Sequence, residues 1–282
     1  MTRYVFAGLT RPIVLDAPAT IEPLFKFFLA HWPWTVGGSD APADIMIEET
    51  ADGLGLRTPA LAVAESGYDE TAAANQLSSV LVSMITRQQP DLFAAHASAV
   101  ALAGGVILLP GGTMSGKSTL ALQLTRLGAR HFGDDQVLLR VGDTAAPRAV
   151  ALGLTPRMRL PVHALAGPDF ARFVASRIGM QVGNFATVDL GADEYAPFAA
   201  ELPVRLVALP RVAPGTDWHI APLARPVAVQ TLLEQGRAPH WAKQRWLQAV
   251  GAALAQVRVV EIAFDKSDLR SEERRVGKEC RL

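Results

Sequence analysis

The segment Gly111-Gly-Thr-Met-Ser-Gly116-Lys117-Ser118 has the spacing Gly-x-x-x-x-Gly-Lys-Ser. Each residue type there answers a need of polyphosphate binding. Glycines let the chain curl until successive N–H groups point inward at phosphate oxygens, and a helix starting at the lysine adds its positive end. Lys117 supplies a mobile cation for the β- and γ-phosphates, and the Ser118 hydroxyl is a ligand for Mg²⁺. The flanks suit such a loop: Val106-Ile-Leu-Leu109 reads as a buried strand before it, and a helix is expected from about Lys117 to Leu127. The expected nucleotide contacts are therefore Gly111, Gly112, Thr113, Met114, Ser115, Gly116, Lys117, Ser118 and Thr119, with Mg²⁺ beside them.

Two other features surround this loop. The β-rich runs His96–Ala103 and Val106–Leu109 are joined by Ala103-Gly104-Gly105, a turn signal. Antiparallel pairing about that turn sets His96 opposite Gly111, which brings an imidazole to the mouth of the loop. Asp134-Asp135 follows the helix and a short strand, where a magnesium-linked acid is needed. Adjacent carboxylates point to different sides, so one can face a metal and the other an incoming hydroxyl. Gly-Asp-Asp is equally the composition of a tight turn. A guanine-reading Asn-Lys-x-Asp is absent, the only asparagines being Asn75 and Asn184, and so is the Leu-Ser-Gly-Gly-Gln of transporter ATPases.

Three stretches in order are more specific than the loop alone: His96-Ala-Ser-Ala-Val, the run from Val106 through the loop to Leu122, and Leu127-Gly-Ala-Arg-His-Phe-Gly-Asp-Asp-Gln-Val-Leu-Leu. Over about residues 92–141 they resemble the catalytic domain of HPr kinase/phosphorylase, most closely its shorter, divergent relatives. The resemblance implies an α/β fold of the HPr kinase/phosphoenolpyruvate carboxykinase-like P-loop type, and Mg²⁺-dependent transfer from ATP to a serine hydroxyl. By position it implies Asp134 as the acid/base carboxylate, His96 as its neighbour, and Lys117 and Ser118 in the phosphate and metal roles. On this reading Ser118 and Asp135 hold the Mg²⁺, and Arg157 and Arg159 either neutralise transferred charge or form a solvated strand edge. Thr119 stands where the bifunctional enzymes usually have Glu, and their Glu-Ile-Arg-Gly-x-Gly is reduced here to Ala151-Leu-Gly-Leu-Thr. Those departures weigh against the phosphorylase reaction and against HPr as substrate. The acceptor hydroxyl, on a protein, a peptide or a small molecule, stays unidentified. The rival reading is a nucleotide-binding regulatory module without transfer chemistry.

The elements around this centre follow from patterning. A small mixed α/β region is expected over residues 1–92, with loose strand alternation at Asp44–Glu49 and Leu54–Arg57 and a helix from Glu70 to Arg87 closed by Pro90. The catalytic domain is expected over 93–265. Its further strands are Val137–Val141, Val204–Leu209 and Val257–Phe264, and its further helices Pro168–Ile178, Pro226–Glu234 and His240–Gln256. Trp241 and Trp246 on the last helix read as core or as substrate contacts.

Composition bounds the rest. Half of the 282 residues are apolar, and 27 Lys+Arg balance 27 Asp+Glu, which gives no electrostatic footprint for nucleic acid or anionic lipid. One cysteine, Cys280, excludes an internal disulfide framework and a multi-cysteine metal site. No apolar run approaches the ~20 residues that span a bilayer, and the first residues lack a secretory pattern, so a cytoplasmic protein is expected. Residues 266–282 carry 10 charges and resemble a stretch found at the ends of unrelated translated sequences, so this tail is expected to be non-native or disordered. The resembling enzymes are often oligomers, which leaves a homo-oligomer open.

Overall fold

A computed structural model describes residues 1–58, 65–142, 146–162, 166–212, 219–238 and 241–264. The charged tail and the expected start of a helix at His240 lie outside the described residues.

The first 88 residues form a sheet and two helices. In chain order these are β1 (Thr2–Phe6), β2 (Ile13–Ala17), α1 (Glu22–Phe28), β3 (Trp34–Val36), β4 (Ile45–Thr50), β5 (Gly53–Arg57), β6 (Glu65–Tyr68) and α2 (Glu70–Gln88). The strands lie in the order β3-β1-β2-β4-β5-β6. Alternation on β1 sends Tyr4 and Phe6 inward, where both meet Phe25 of α1 edge-on at 5.1 and 5.3 Å. Asp69 caps α2 by accepting from the Ala72 amide at 2.7 Å. Leu77, Leu81, Met84 and Ile85, at the helical spacing read from the sequence, are the buried stripe of α2.

The second sheet begins directly after α2 with β7 (Leu92–Ala95), β8 (Ala97–Leu102), β9 (Gly105–Pro110), α3 (Lys117–Arg126), β10 (Arg130–Gly133), β11 (Val137–Arg140) and β12 (Arg148–Val150). A small three-stranded sheet comes next: β13 (Arg157–Arg159), then α4 (Pro168–Ala175), β14 (Ile178–Val182) and β15 (Phe185–Val188). The chain then returns to the second sheet through β16 (Glu201–Val212), β17 (His219–Pro222), α5 (Arg225–Gln235), β18 (Gly236–Arg237), α6 (Lys243–Leu254) and β19 (Arg258–Phe264). The large sheet runs β10-β8-β9-β16-β12-β11-β7-β18, with β19 added beside β16 and β17 beside β19. Only the β9–β16 and β16–β19 pairs in it are parallel. The β8–β9 hairpin turns at Ala103 and Gly104, both at positive φ, and pairs Ala97 with Pro110 in the register expected from the sequence.

The two regions share one core. Leu77, Leu81 and Trp32 cluster with Leu92, Leu138, Val150, Leu152 and Leu154 from the second sheet and its continuation. No polar linker separates the first region from the second sheet; β7 starts four residues after α2 ends. The tightest point of the seam is Gly153, at φ +73, where an added Cβ would lie 2.3 Å from the His31 carbonyl carbon. No helix among the described residues is long and apolar enough to cross a membrane.

Gly153→Ala is expected to weaken the whole molecule, because the left-handed backbone alone costs about 1–3 kcal/mol in a non-glycine residue and the Cβ must also displace main chain. Urea unfolding followed at once by tryptophan fluorescence and far-ultraviolet circular dichroism checks it. The midpoint should fall and both probes should move together.

Candidate active site

The loop between β9 and α3 is curled. The Ser115 amide reaches back to the Gly112 carbonyl at 3.4 Å, and Met114 and Gly116 adopt left-handed φ values of 66° and 95°. Left-handed residues set one apart are what turn successive N–H groups toward one concave side. The first turn of α3 adds amides that have no carbonyl one turn behind them within the helix. Glycine is needed at 111, where a Cβ would sit 2.9 Å from Ser115 Oγ. Ser115 Oγ is itself buried without a hydrogen-bond partner among the described residues. Lys117 is 6% exposed and donates from Nζ to the Gly112 carbonyl at 2.8 Å, folded over its own loop. Burial pulls its pKa below the usual lysine value, against the opposing pull of Asp134 and Asp135.

Beneath the start of α3 lies Asp134, 3% exposed. Its Oδ1 accepts from Ser118 Oγ at 2.8 Å and from Ser98 Oγ, and its Oδ2 accepts from the Arg157 backbone amide at 3.1 Å. Four elements therefore converge on one carboxylate: β8, α3, the end of β10 and the start of β13. Asp135 turns the other way, outward, with 44% of its side chain exposed. Its Oδ1 is 3.2 Å from His96 Nε2 and its Oδ2 is 2.6 Å from Arg157 Nη2. The hydrogen bond from His96 holds the Asp135 carboxyl below the ordinary carboxylate range; Arg157 and Lys117 add to the effect and burial opposes it.

The pairing of carboxylates is thus the reverse of the sequence expectation. Ser118 meets Asp134 rather than Asp135, and His96 meets Asp135 rather than Asp134. The physical reason is local. The β8–β10 ladder has a bulge between His131 and Gly133, and the strand ends at Gly133, so neither aspartate is held in its ladder. Asp135 then takes φ +65 in a tight turn that the Gln136 amide closes on the Asp134 carbonyl at 2.7 Å. Gly-Asp-Asp is therefore a tight turn that also sets two carboxylates near the loop.

His96, the first residue of the run expected from the sequence, lies between two strands, one residue before β8 begins. β7 before it pairs with β11, β8 after it pairs with β9, and the His96 amide itself bonds the Gln235 carbonyl at 2.8 Å. Thr119 directs its hydroxyl to Met158 Sδ at 3.8 Å, toward β13 and away from the loop. Trp246 packs on Phe93 with ring centroids 6.0 Å apart, and Trp241 Nε1 bonds the Pro90 carbonyl, so neither reaches this site.

Several participants carry no motif in the sequence. Ser98 is fully buried on β8, two residues beyond His96. Asn75 of α2 accepts from Arg157 Nη1 at 2.6 Å, and Ser79 of the same helix accepts from Gln136 at 3.0 Å. Phe28 of α1 lies under the Arg157 guanidinium at 6.0 Å. The region before residue 92 thus walls one side of the acidic pair. Below Asp134, His131, Tyr195 and His31 stack in a dry cluster, with His31 and His131 ring centroids 3.8 and 5.5 Å from that of Tyr195. Neither His131 ring nitrogen has a partner among the described residues, and burial lowers its pKa well below the usual histidine range.

No family model matches the chain, and no curated protein matches it. Among solved structures it is similar to the Hpr(Ser) kinase/phosphatase from Coxiella burnetii, at 14% identity over 67% of this chain and 96% of that one, with a TM-score of 0.29.

The buried histidine makes a pH prediction. The folded state disfavours the His131 cation, so as pH falls below about 6.5 the unfolded chain takes up the proton first and stability is lost from there downward. His131→Phe should flatten the decline of stability between about pH 6.5 and 4.5, measured by urea midpoints at each pH.

Proposed function

We propose that the protein is a kinase that transfers the γ-phosphoryl group of ATP, with Mg²⁺, to an acceptor hydroxyl. The observation that carries this reading is the division of the acidic pair: one carboxylate is buried against Ser118 at the foot of the phosphate loop, and the other opens outward beside His96 and Arg157. The curled loop and Lys117 are suited to hold the triphosphate. The Ser118 hydroxyl and Asp134 are the residues to hold Mg²⁺; their hard oxygen donors suit that ion, which keeps its remaining places for water and phosphate. When bound, it would neutralise charge on the phosphates.

Phosphoryl transfer asks mainly for positioning and charge neutralisation. The bond between the γ-phosphorus and the bridging oxygen breaks, a bond to the acceptor oxygen forms, the hydroxyl proton passes to Asp135, and ADP leaves. Asp135 kept ionised by His96 and Arg157 is an acceptor at neutral pH. Each carboxylate oxygen has two lone-pair sites, so a hydroxyl can still reach it beside its present partners. Arg157 lies where charge on the transferring group would be met. The acceptor role assigned by resemblance to Asp134 therefore moves to Asp135, and the metal role moves to Asp134.

One observation favours the second reading, a nucleotide-binding module without transfer: both Asp135 oxygens already carry ion-pair partners. The readings separate on γ-labelled ATP incubated with extract proteins, peptides and metabolites. Asp135→Asn should lower labelling by at least about 100-fold and leave ATP affinity near the starting value, whereas Lys117→Ala should weaken ATP binding itself. Equal labelling by Asp135→Asn would remove this residue from the reaction.

A further inference from the structure

The three-stranded sheet has two unlike faces. Met158 of β13 and Ala186 of β15 are buried on one side, where Met158 packs in a core with Leu122, Phe170 and Val174. Alternation puts Arg157 and Arg159 together on the other face. Across the sheet Arg159 is paired with Phe185, and Phe185 with Val182, so these three form one row on that face. At its inner end the face is closed by the first region: Arg157 lies on Phe28 and bonds Asn75, and Met180 packs into the shared core. At its outer end it is open. Phe185 and Val182 are 45% and 43% exposed, and Arg159 is exposed too. The Arg159 guanidinium rests on the Phe185 ring at 5.0 Å and has no carboxylate partner among the described residues.

An exposed apolar pair beside an unneutralised arginine, continuous with the outward carboxylate, has the anatomy of a docking surface. We propose that this face receives the acceptor, and that the acceptor is an extended polypeptide segment with an acidic side chain two or three residues from its target hydroxyl. The inference rests on the kinase reading, because it takes Asp135 as the point where the hydroxyl arrives. Spacing supplies the argument for a peptide. Residues two apart on a strand are about 7 Å apart, so Arg157 serves the reacting centre while Arg159 meets a group that far along the acceptor. The row then extends across two further strands, about 10 Å, the length of about three residues of an extended chain. Charge supplies the argument for the flanking acid, and Phe185 with Val182 accepts an apolar side chain next to it.

The test uses degenerate serine peptides in which Asp, Glu, Lys or Arg is fixed in turn at each position from four before to four after the serine, with γ-labelled ATP and Mg²⁺. The full chain should label acidic peptides about two- to fivefold better at one or two positions, the gain expected of an exposed ion pair. Arg159→Glu should reverse that preference to basic residues at the same positions. The readout is a ratio within one protein, so a change in total activity does not disturb it. Phe185→Ser should raise KM for the preferred peptide and not for ATP. A preference that Arg159→Glu leaves unchanged, or a Phe185→Ser effect on ATP alone, overturns the proposal, the latter by assigning the face to the nucleotide base. Full chain that binds and hydrolyses ATP but labels no peptide overturns this inference and leaves the nucleotide role of the loop standing. Failure to bind ATP at all overturns the reading beneath both.

Discussion

A buried carboxylate is costly unless its oxygens are hydrogen-bonded, and Asp134 is the place where this fold meets that constraint. It is almost shut off from solvent, so Ser98, Ser118 and the Arg157 amide must all be present at once. Hydrogen bonds to a charged group are worth about 1.5–3 kcal/mol each, and losing one leaves the remaining charge undersolvated. The need fixes relative positions: α3 cannot slide along the sheet without taking Ser118 away, and β13 cannot leave without withdrawing its first amide. The loop between β9 and α3 is held at both ends as a result, by β9 on one side and by a helix pinned through its second residue on the other.

The same constraint explains why the first region matters to a site whose motifs all lie later in the chain. β13 brings the Arg157 amide to Asp134 and the Arg157 guanidinium to Asp135. That guanidinium needs its remaining donors and its flat face occupied, and Asn75 and Phe28 supply the partner and the platform. The shared core and the close approach at Gly153 keep α1 and α2 at the right distance. A rigid first region therefore sets the orientation of one arginine, and through it the outward carboxylate.

What could be read from the sequence and what could not divide along local and non-local physics. The loop, the helix after it, α2 with its buried stripe, and the β8–β9 register are each specified by residues close in the chain: glycine spacing, a helical apolar period, a two-residue turn. The roles expected of Asp134 and Asp135 came from resemblance by position, and the contacts that separate the two, from Ser98, Ser118, His96 and Arg157, reach them from residues distant in the chain that nothing in Gly133-Asp-Asp marks. β1, β2 and the small β13–β15 sheet went unread for another reason. They are short and depend on partners far along the chain, as when β13 finds β15 across α4. Ser98 and Asn75 were invisible because a buried serine and a helical asparagine are ordinary residues until a distant aspartate or arginine arrives.

Neighbouring carboxylates can serve two different tasks only if their surroundings separate them, and here one is buried while the other is open to solvent. Asp134 has no path to an acceptor hydroxyl; it is enclosed by two serines and an amide, which orient it toward the first turn of α3. Asp135 is unsuited to the interior role, since its left-handed backbone turns it outward and its partners are an imidazole and a guanidinium, not hydroxyls. On the proposed reading, the neighbours that keep Asp135 charged also leave it weakly basic, which suits a proton received late, once the bond to the leaving oxygen is largely broken. Transfer with a loose transition state asks for no more than that, so the low basicity of Asp135 agrees with phosphoryl chemistry better than with chemistry that must first make a strong nucleophile.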